Sequence, residues 1–174
     1  MKKAMLFVIA LFFSVAANAA TLNLTKGDSA FTNNASQEID LASGSTVLAS
    51  GTTGNGAWES SFSLFTNDET PVVIEWSFNP ESNLDNATIA FGVLGGAIQN
   101  FNITGDFSFT AILTAGLTYV LDIYDATGKA LNYSLSVSAV PVPAALFLFA
   151  PVLLGFLGFR KKASRGFFQG RYGE

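Results

Sequence analysis

The chain contains no cysteine and no histidine, and residues 20–140 contain no arginine and only two lysines, Lys26 and Lys129. Each absence removes a class of chemistry. Without cysteine there are no disulfides to staple the fold, so core burial alone must hold it together. Without imidazole or thiol there is no Ser-His-Asp or Cys-His nucleophile pair, no histidine general base and no ordinary zinc or copper site. Carboxylate, amide, hydroxyl and amine remain, so any metal would be hard and oxygen-ligated, meaning calcium. Residues 20–140 set twelve Asp and Glu against the two lysines, a net charge of minus 10. A surface of that sign repels polyanions and excludes nucleic acid as an expected partner.

Charge of the other sign is concentrated at the two ends. Lys2 and Lys3 precede the apolar run Ala4 to Val15, and Ala17-Asn18-Ala19 follows. A charged start, a short apolar stretch and a small-x-small site are the three parts of a secretory signal peptide, with Ala17 and Ala19 at the cleavage site and cleavage before Ala20 or Thr21. A buried N-terminal helix is the alternative, but it rarely carries two lysines before an unbroken apolar run. At the other end, Ala144 to Phe159 has no charged or hydrogen-bonding side chain, and Arg160, Lys161 and Lys162 follow at once. Counted from Val140 the run reaches the roughly 20 residues that a bilayer requires. Pro151 would break a helix in water but is tolerated in a membrane. The basic triplet predicts a cytoplasmic C-terminus, leaving the middle of the chain outside. A helix apolar on every face has no place inside so small a domain.

The stretch Val140 to Lys162 reads VPVPAALFLFAPVLLGFLGFRKK. It resembles the PEP-CTERM sorting signal in its VPxPA-type variant: a short proline motif, a transmembrane helix and a basic cluster. Val140, Pro141, Val142, Pro143 and Ala144 match the recognition motif, and Arg160, Lys161 and Lys162 match the basic stop. Val142 stands where the name-giving motif has glutamate, and twelve residues, 163–174, run on past the stop. The resemblance implies recognition by the membrane protease-transpeptidase exosortase and cleavage near the prolines. It further implies transient residence in the inner membrane, then release or attachment outside a Gram-negative cell that usually makes exopolysaccharide. An ordinary single-pass anchor is the other reading. The expected organisation is a signal peptide over 1–19, a domain over 20–139, the sorting signal over 140–162 and a short cytoplasmic tail over 163–174.

Between these ends the sequence reads as strands. Apolar residues alternate with polar ones at Trp58, Phe62 and Leu64, and at Val72, Ile74, Trp76 and Phe78. The alternation recurs at Phe107, Phe109, Ala111 and Leu113, at Leu117, Tyr119, Leu121 and Ile123, and at Leu131, Tyr133, Leu135 and Val137. Turn signals separate the runs: Asn67-Asp68, Asn79-Pro80, Gly95-Gly96, Gly105-Asp106, Ala115-Gly116 and Thr127-Gly128. Weak strands over 21–25 and 46–49 stand among many Ser, Thr, Asn and Gly residues. The pattern predicts an all-β domain, a small antiparallel β-sandwich or jelly roll, with Asp125 to Gly128 as a four-residue hairpin loop.

Few constellations suggest chemistry. Asp122 and Asp125, joined by Asp68 or Glu69 from another loop, are the weak candidates for calcium, although they lack the dense oxygen pattern of a calcium loop. The period of two sends Trp58, Trp76, Tyr119 and Tyr133 inward and leaves Tyr124 as the exposed aromatic that a sugar could stack on. Asn-x-Ser/Thr triplets begin at Asn23, Asn34, Asn86, Asn102 and Asn132, as expected of a surface rich in these residues. No pair of the twelve acids stands out as a glycosidase pair. The sequence therefore predicts an exported, non-enzymatic surface or exopolysaccharide-matrix protein without a required cofactor. A carbohydrate-binding or calcium-dependent adhesive module is the alternative, and a carboxylate-based glycoside hydrolase the third reading.

Overall fold

A computed structural model describes residues 20–140. Within them β-branched and aromatic residues at a period of two build eleven strands: β1 (Leu22–Lys26), β2 (Glu38–Leu41), β3 (Ser43–Gly44), β4 (Thr46–Thr52), β5 (Gly56–Thr66), β6 (Thr70–Asn79), β7 (Leu84–Val93), β8 (Ile98–Ile103), β9 (Phe107–Leu113), β10 (Thr118–Gly128) and β11 (Asn132–Ala139). They form a six-stranded sheet in the order β3-β1-β5-β10-β7-β8 and a five-stranded sheet in the order β2-β4-β11-β6-β9. Every pairing is antiparallel. From β4 to β11 the chain changes sheet at every connection except the β7–β8 hairpin. The eight strands thus set β4-β11-β6-β9 against β5-β10-β7-β8, the double Greek key of a jelly roll.

The expected inward residues Trp58, Phe62, Leu64, Val72, Ile74, Trp76, Leu121, Ile123, Leu135 and Val137 are all buried between the sheets. Trp58 stacks on Tyr133 with ring centroids 5.3 Å apart, and Phe62, Trp76 and Phe78 close around this pair. A second aromatic group, Phe91, Phe101, Phe107 and Phe109, fills the side where β8 and β9 form the sheet edges. Such pairs contribute roughly 0.5–1.5 kcal/mol each beyond the area they bury.

One partly buried polar chain ties the sheets together. Gln37 Nε2 donates to Ser60 Oγ at 2.9 Å, Ser60 Oγ lies 2.6 Å from Tyr133 Oη, and Tyr133 Oη donates to the Ser36 carbonyl at 2.6 Å. Burial of the Tyr133 phenol pushes its pKa up to about 12, with the Ser60 hydrogen bond opposing the shift. Gly51 leaves the space this requires, since a Cβ there would meet both the Ser36 carbonyl and the Tyr133 hydroxyl.

Three expectations change. Asp125 to Gly128 is not a hairpin: β10 continues through it to Gly128, and β11 lies in the opposite sheet. A β-bulge there absorbs the turn-like residues, with the register breaking between Ile123 and Ala126 and Asp125 at φ 51°. Leu117 is exposed in the β9–β10 connection rather than inward. Strands β7 and β8 have no counterpart among the expected alternations. The signal peptide and the sorting segment lie outside the described residues, apart from Val140. Among the described residues no helix is long and apolar enough to cross a membrane.

Candidate functional site

The site is built on the outer face of the six-stranded sheet, where β7, β8 and β10 run side by side. On β7, Ala87 and Ile89 are committed to the core, so the intervening Asn86 and Thr88 must point outward. Thr88 pairs with Asn102 of β8 on one side and with Tyr124 of β10 on the other. The three side chains therefore form a row across three strands, at the close spacing of cross-strand neighbours. Next to this row the β10 bulge interrupts the pleat. Its left-handed Asp125, a conformation that asparagine and aspartate tolerate best among non-glycine residues, is exposed beside the row.

Asn86, Ala87, Thr88, Asn102, Ile103, Thr104 and Asp125 line an open groove of about 400 Å³. Its exposed lining is the polar Asn86, Thr88, Asn102, Thr104 and Asp125, with the core residues Ala87 and Ile103 between them. Thr127 Oγ1 donates to Asn86 Oδ1 at 2.7 Å, and Thr88 Oγ1 donates to Asn102 Oδ1 at 3.2 Å. With both amide oxygens held by threonines, the two amide NH₂ groups are the parts left to meet a ligand. The groove thus offers fixed amide donors, threonine hydroxyls, one carboxylate acceptor and a half-buried tyrosine at its side. This set matches the alternating donors and acceptors of a polyol; with one carboxylate, it is not a site for a polyanion.

The two calcium candidates have different surroundings. Asp122 is buried on the outer face of β10, where its carboxylate accepts from Ser61 Oγ at 2.5 Å. Burial raises its pKa above the ordinary carboxylate value, the Ser61 bond lowers it in part, and the carboxylate of Asp28 raises it further. Asp125 instead opens onto the groove. Asp68 and Glu69 lie in the β5–β6 connection, at the opposite end of the sandwich. Among the described residues no three acids gather into a set that could hold a metal ion.

Of the aromatics expected inward, Trp58, Trp76, Tyr119 and Tyr133 are all core residues. Tyr124 is half-buried on the outer face, so it offers part of its ring. Four groove residues, Asn86, Thr88, Asn102 and Thr104, were visible in the sequence only as two Asn-x-Thr triplets. That the triplets sit on adjacent strands of one face becomes apparent only with the register.

The chain matches no protein-family model and no curated protein. Among solved structures it is similar to the GH26-CBM35 β-(1,4)-mannanase of Podospora anserina, at 14% identity and a TM-score of 0.42, over 70% of this chain and 28% of the mannanase. It is also similar to a carbohydrate-binding module of Cellvibrio mixtus lichenase 5A, solved with cellotriose, at 16% identity and a TM-score of 0.39, over 70% of this chain and 98% of the module. A third similarity is to the Yersinia pseudotuberculosis-derived mitogen, at 14% identity and a TM-score of 0.39, over 56% of this chain and 87% of the mitogen. Similarity this distant transfers no function to the chain.

Proposed function

We propose that the protein is an exported, non-enzymatic surface or matrix protein whose jelly-roll domain binds a neutral polysaccharide in the groove of Asn86, Thr88, Asn102, Thr104 and Asp125. The observation that carries this reading is the row Tyr124–Thr88–Asn102 beside the bulged Asp125, a polar surface whose amide NH₂ groups have no hydrogen-bond partner among the described residues. A net charge of minus 10 over residues 20–140 favours a ligand without carboxylates. Cleaving a glycoside takes two carboxyl groups facing one bond, and this groove is lined by one, which supports binding without turnover. A calcium-dependent adhesive reading draws no support from Asp122, whose carboxylate is bonded to Ser61.

Export rests on the sequence at both ends, and exosortase sorting rests on the resemblance over 140–162. Proline disfavours helix in the residue before it, so Pro141 and Pro143 keep the chain extended where a processing enzyme would read it. Replacing both by alanine should convert the processed form into a larger membrane-bound precursor. An unchanged size in cells with an active exosortase would leave an ordinary anchor.

Binding is tested by titrating the purified full-length protein with a neutral polysaccharide in a calorimeter. Asn102→Ala removes a donor worth about 1 kcal/mol, so affinity should fall roughly fivefold. Equal affinity in the variant, or turnover abolished by changing one Asp or Glu to its amide, would refute the reading.

A further inference from the structure

The two ends of the sandwich differ in what they expose. The connections 67–69, 94–97 and 114–117 gather at one end, because Leu22 and Thr66, Phe65 and Thr118, Tyr119 and Val93, and Thr70 and Leu113 are paired there. Both ends of the described chain leave at this end too: Leu22 begins β1 beside Thr66, and the Val140 N–H bonds to the Pro71 carbonyl. Five of the eight large exposed hydrophobic residues among the described residues cluster here: Leu94, Ile98, Ile112, Leu117 and Val140. Ile112 is 67% exposed and Leu94 63%, the two largest values of the set. Connections are ordinarily polar, and an apolar residue at the tip of each of two of them calls for an occupant.

We infer that this end docks on the bilayer surface, with Leu94, Ile112 and Leu117 entering the interface of a zwitterionic membrane. The inference rests on the reading of Ala144 to Phe159 as a membrane segment, since only Pro141, Val142 and Pro143 separate Val140 from it in sequence. A span of that length cannot carry the end far from the bilayer it enters. Apolar side chains at an interface settle about 5–10 Å into the headgroup boundary. Among the described residues no lysine or arginine stands at this end, and Asp68 and Glu69 are exposed there. Docking therefore depends on apolar burial, is insensitive to salt and weakens on anionic lipid.

The absence of native cysteine makes single-site labelling clean. Environment-sensitive fluorophores are placed at Leu94→Cys, Ile112→Cys, Lys129→Cys and Leu153→Cys in the full chain, reconstituted in phosphatidylcholine vesicles. Lipid-borne quenchers should quench the labels at 94, 112 and 153, and iodide in the buffer should quench the label at 129. Raising the salt should change nothing, and adding phosphatidylglycerol should return the 94 and 112 labels toward iodide access. If 153 is lipid-quenched while 94 and 112 are as open to iodide as 129, docking is refuted and the anchor stands. If 94 and 112 are lipid-quenched but 153 is not, docking stands and the anchor reading fails. Protection at 94 and 112 that rises with protein density at fixed lipid would assign the patch to a second copy and refute the membrane.

Discussion

The end of the jelly roll at which the described chain enters and leaves exposes Leu94, Ile112 and Leu117 beside the acidic 67–69 connection, whereas the opposite end carries a β-bulge, a partly buried polar chain and a groove lined by amides and hydroxyls. One core serves both. The difference shows how a two-sheet fold lets its two ends differ in surface chemistry. The pleat fixes which side chains reach the core, and only the residues beyond the core's reach are free to differ. At the exit end these are Leu94, Ile112 and Leu117. At the far end they are Asn86, Thr104 and Asp125. The chain of Gln37, Ser60, Tyr133 and Ser36 fastens the sheets to the segment that crosses between them, whereas at the exit end the sheets are joined by the buried hydroxyls of Thr66 and Thr70, 3.4 Å apart.

The comparison breaks most severely if the core beneath the polar end is removed. Trp58 pairs with Ala126 at the bulge and is wholly buried. Trp58→Ala should cost about 3–5 kcal/mol of unfolding free energy, measured in urea, and abolish polysaccharide binding with it. A cost under about 1 kcal/mol would mean that the site does not depend on the core. Next in size is Tyr133→Phe, which strips the Ser36 carbonyl and the Ser60 hydroxyl of their partner and should cost about 1–3 kcal/mol. Its pH dependence has a definite sign. A phenol held neutral to about 12 in the fold ionises near 10 when unfolded. The wild type should therefore lose stability as pH rises from about 10 to 12, and Tyr133→Phe should remove that part of the loss.

Asp122→Asn acts in the opposite sense. Its carboxyl has a raised pKa in the fold, so the ionised form is disfavoured there relative to the unfolded chain. The destabilisation is absent below the unfolded pKa and grows as pH rises through the folded one. Asp122→Asn, which keeps a partner for Ser61, should be more stable than wild type at pH 7 and gain nothing at pH 3. A gain that is equal at both values would point to packing instead of charge. The smallest effect belongs to Ile112→Ser, expected within about 0.5 kcal/mol of wild type as a surface change. A cost as large as that of Trp58→Ala would place Ile112 in the core.

Much of this architecture was legible in the sequence. The alternations around Trp58, Trp76, Leu121 and Leu135 name the inner faces of β5, β6, β10 and β11, because a strand with one face buried must repeat every two residues. Strand β7 escaped because Ala90, Phe91 and Gly92 are buried in succession, which hides the period. On β8 only Ile103 is fully buried, so its alternation is faint. The groove lay on those two strands and was hidden with them. The residues Asp125 to Gly128 signal a turn by composition, and only the pairing of β10 with both β5 and β7 makes the segment a bulge within a long strand. Leu117 fits the inward period of β10 but precedes its first residue, Thr118, so the pleat does not reach it.

The division of labour between the two ends is tested most directly by amide hydrogen exchange of the full chain in phosphatidylcholine vesicles, with and without a neutral polysaccharide. Addition of the polysaccharide should slow exchange at 86–88, 102–104 and 124–125 and leave 94–98 and 112–117 unchanged. Protection confined to 94–98 and 112–117, or no protection at either end, would contradict it.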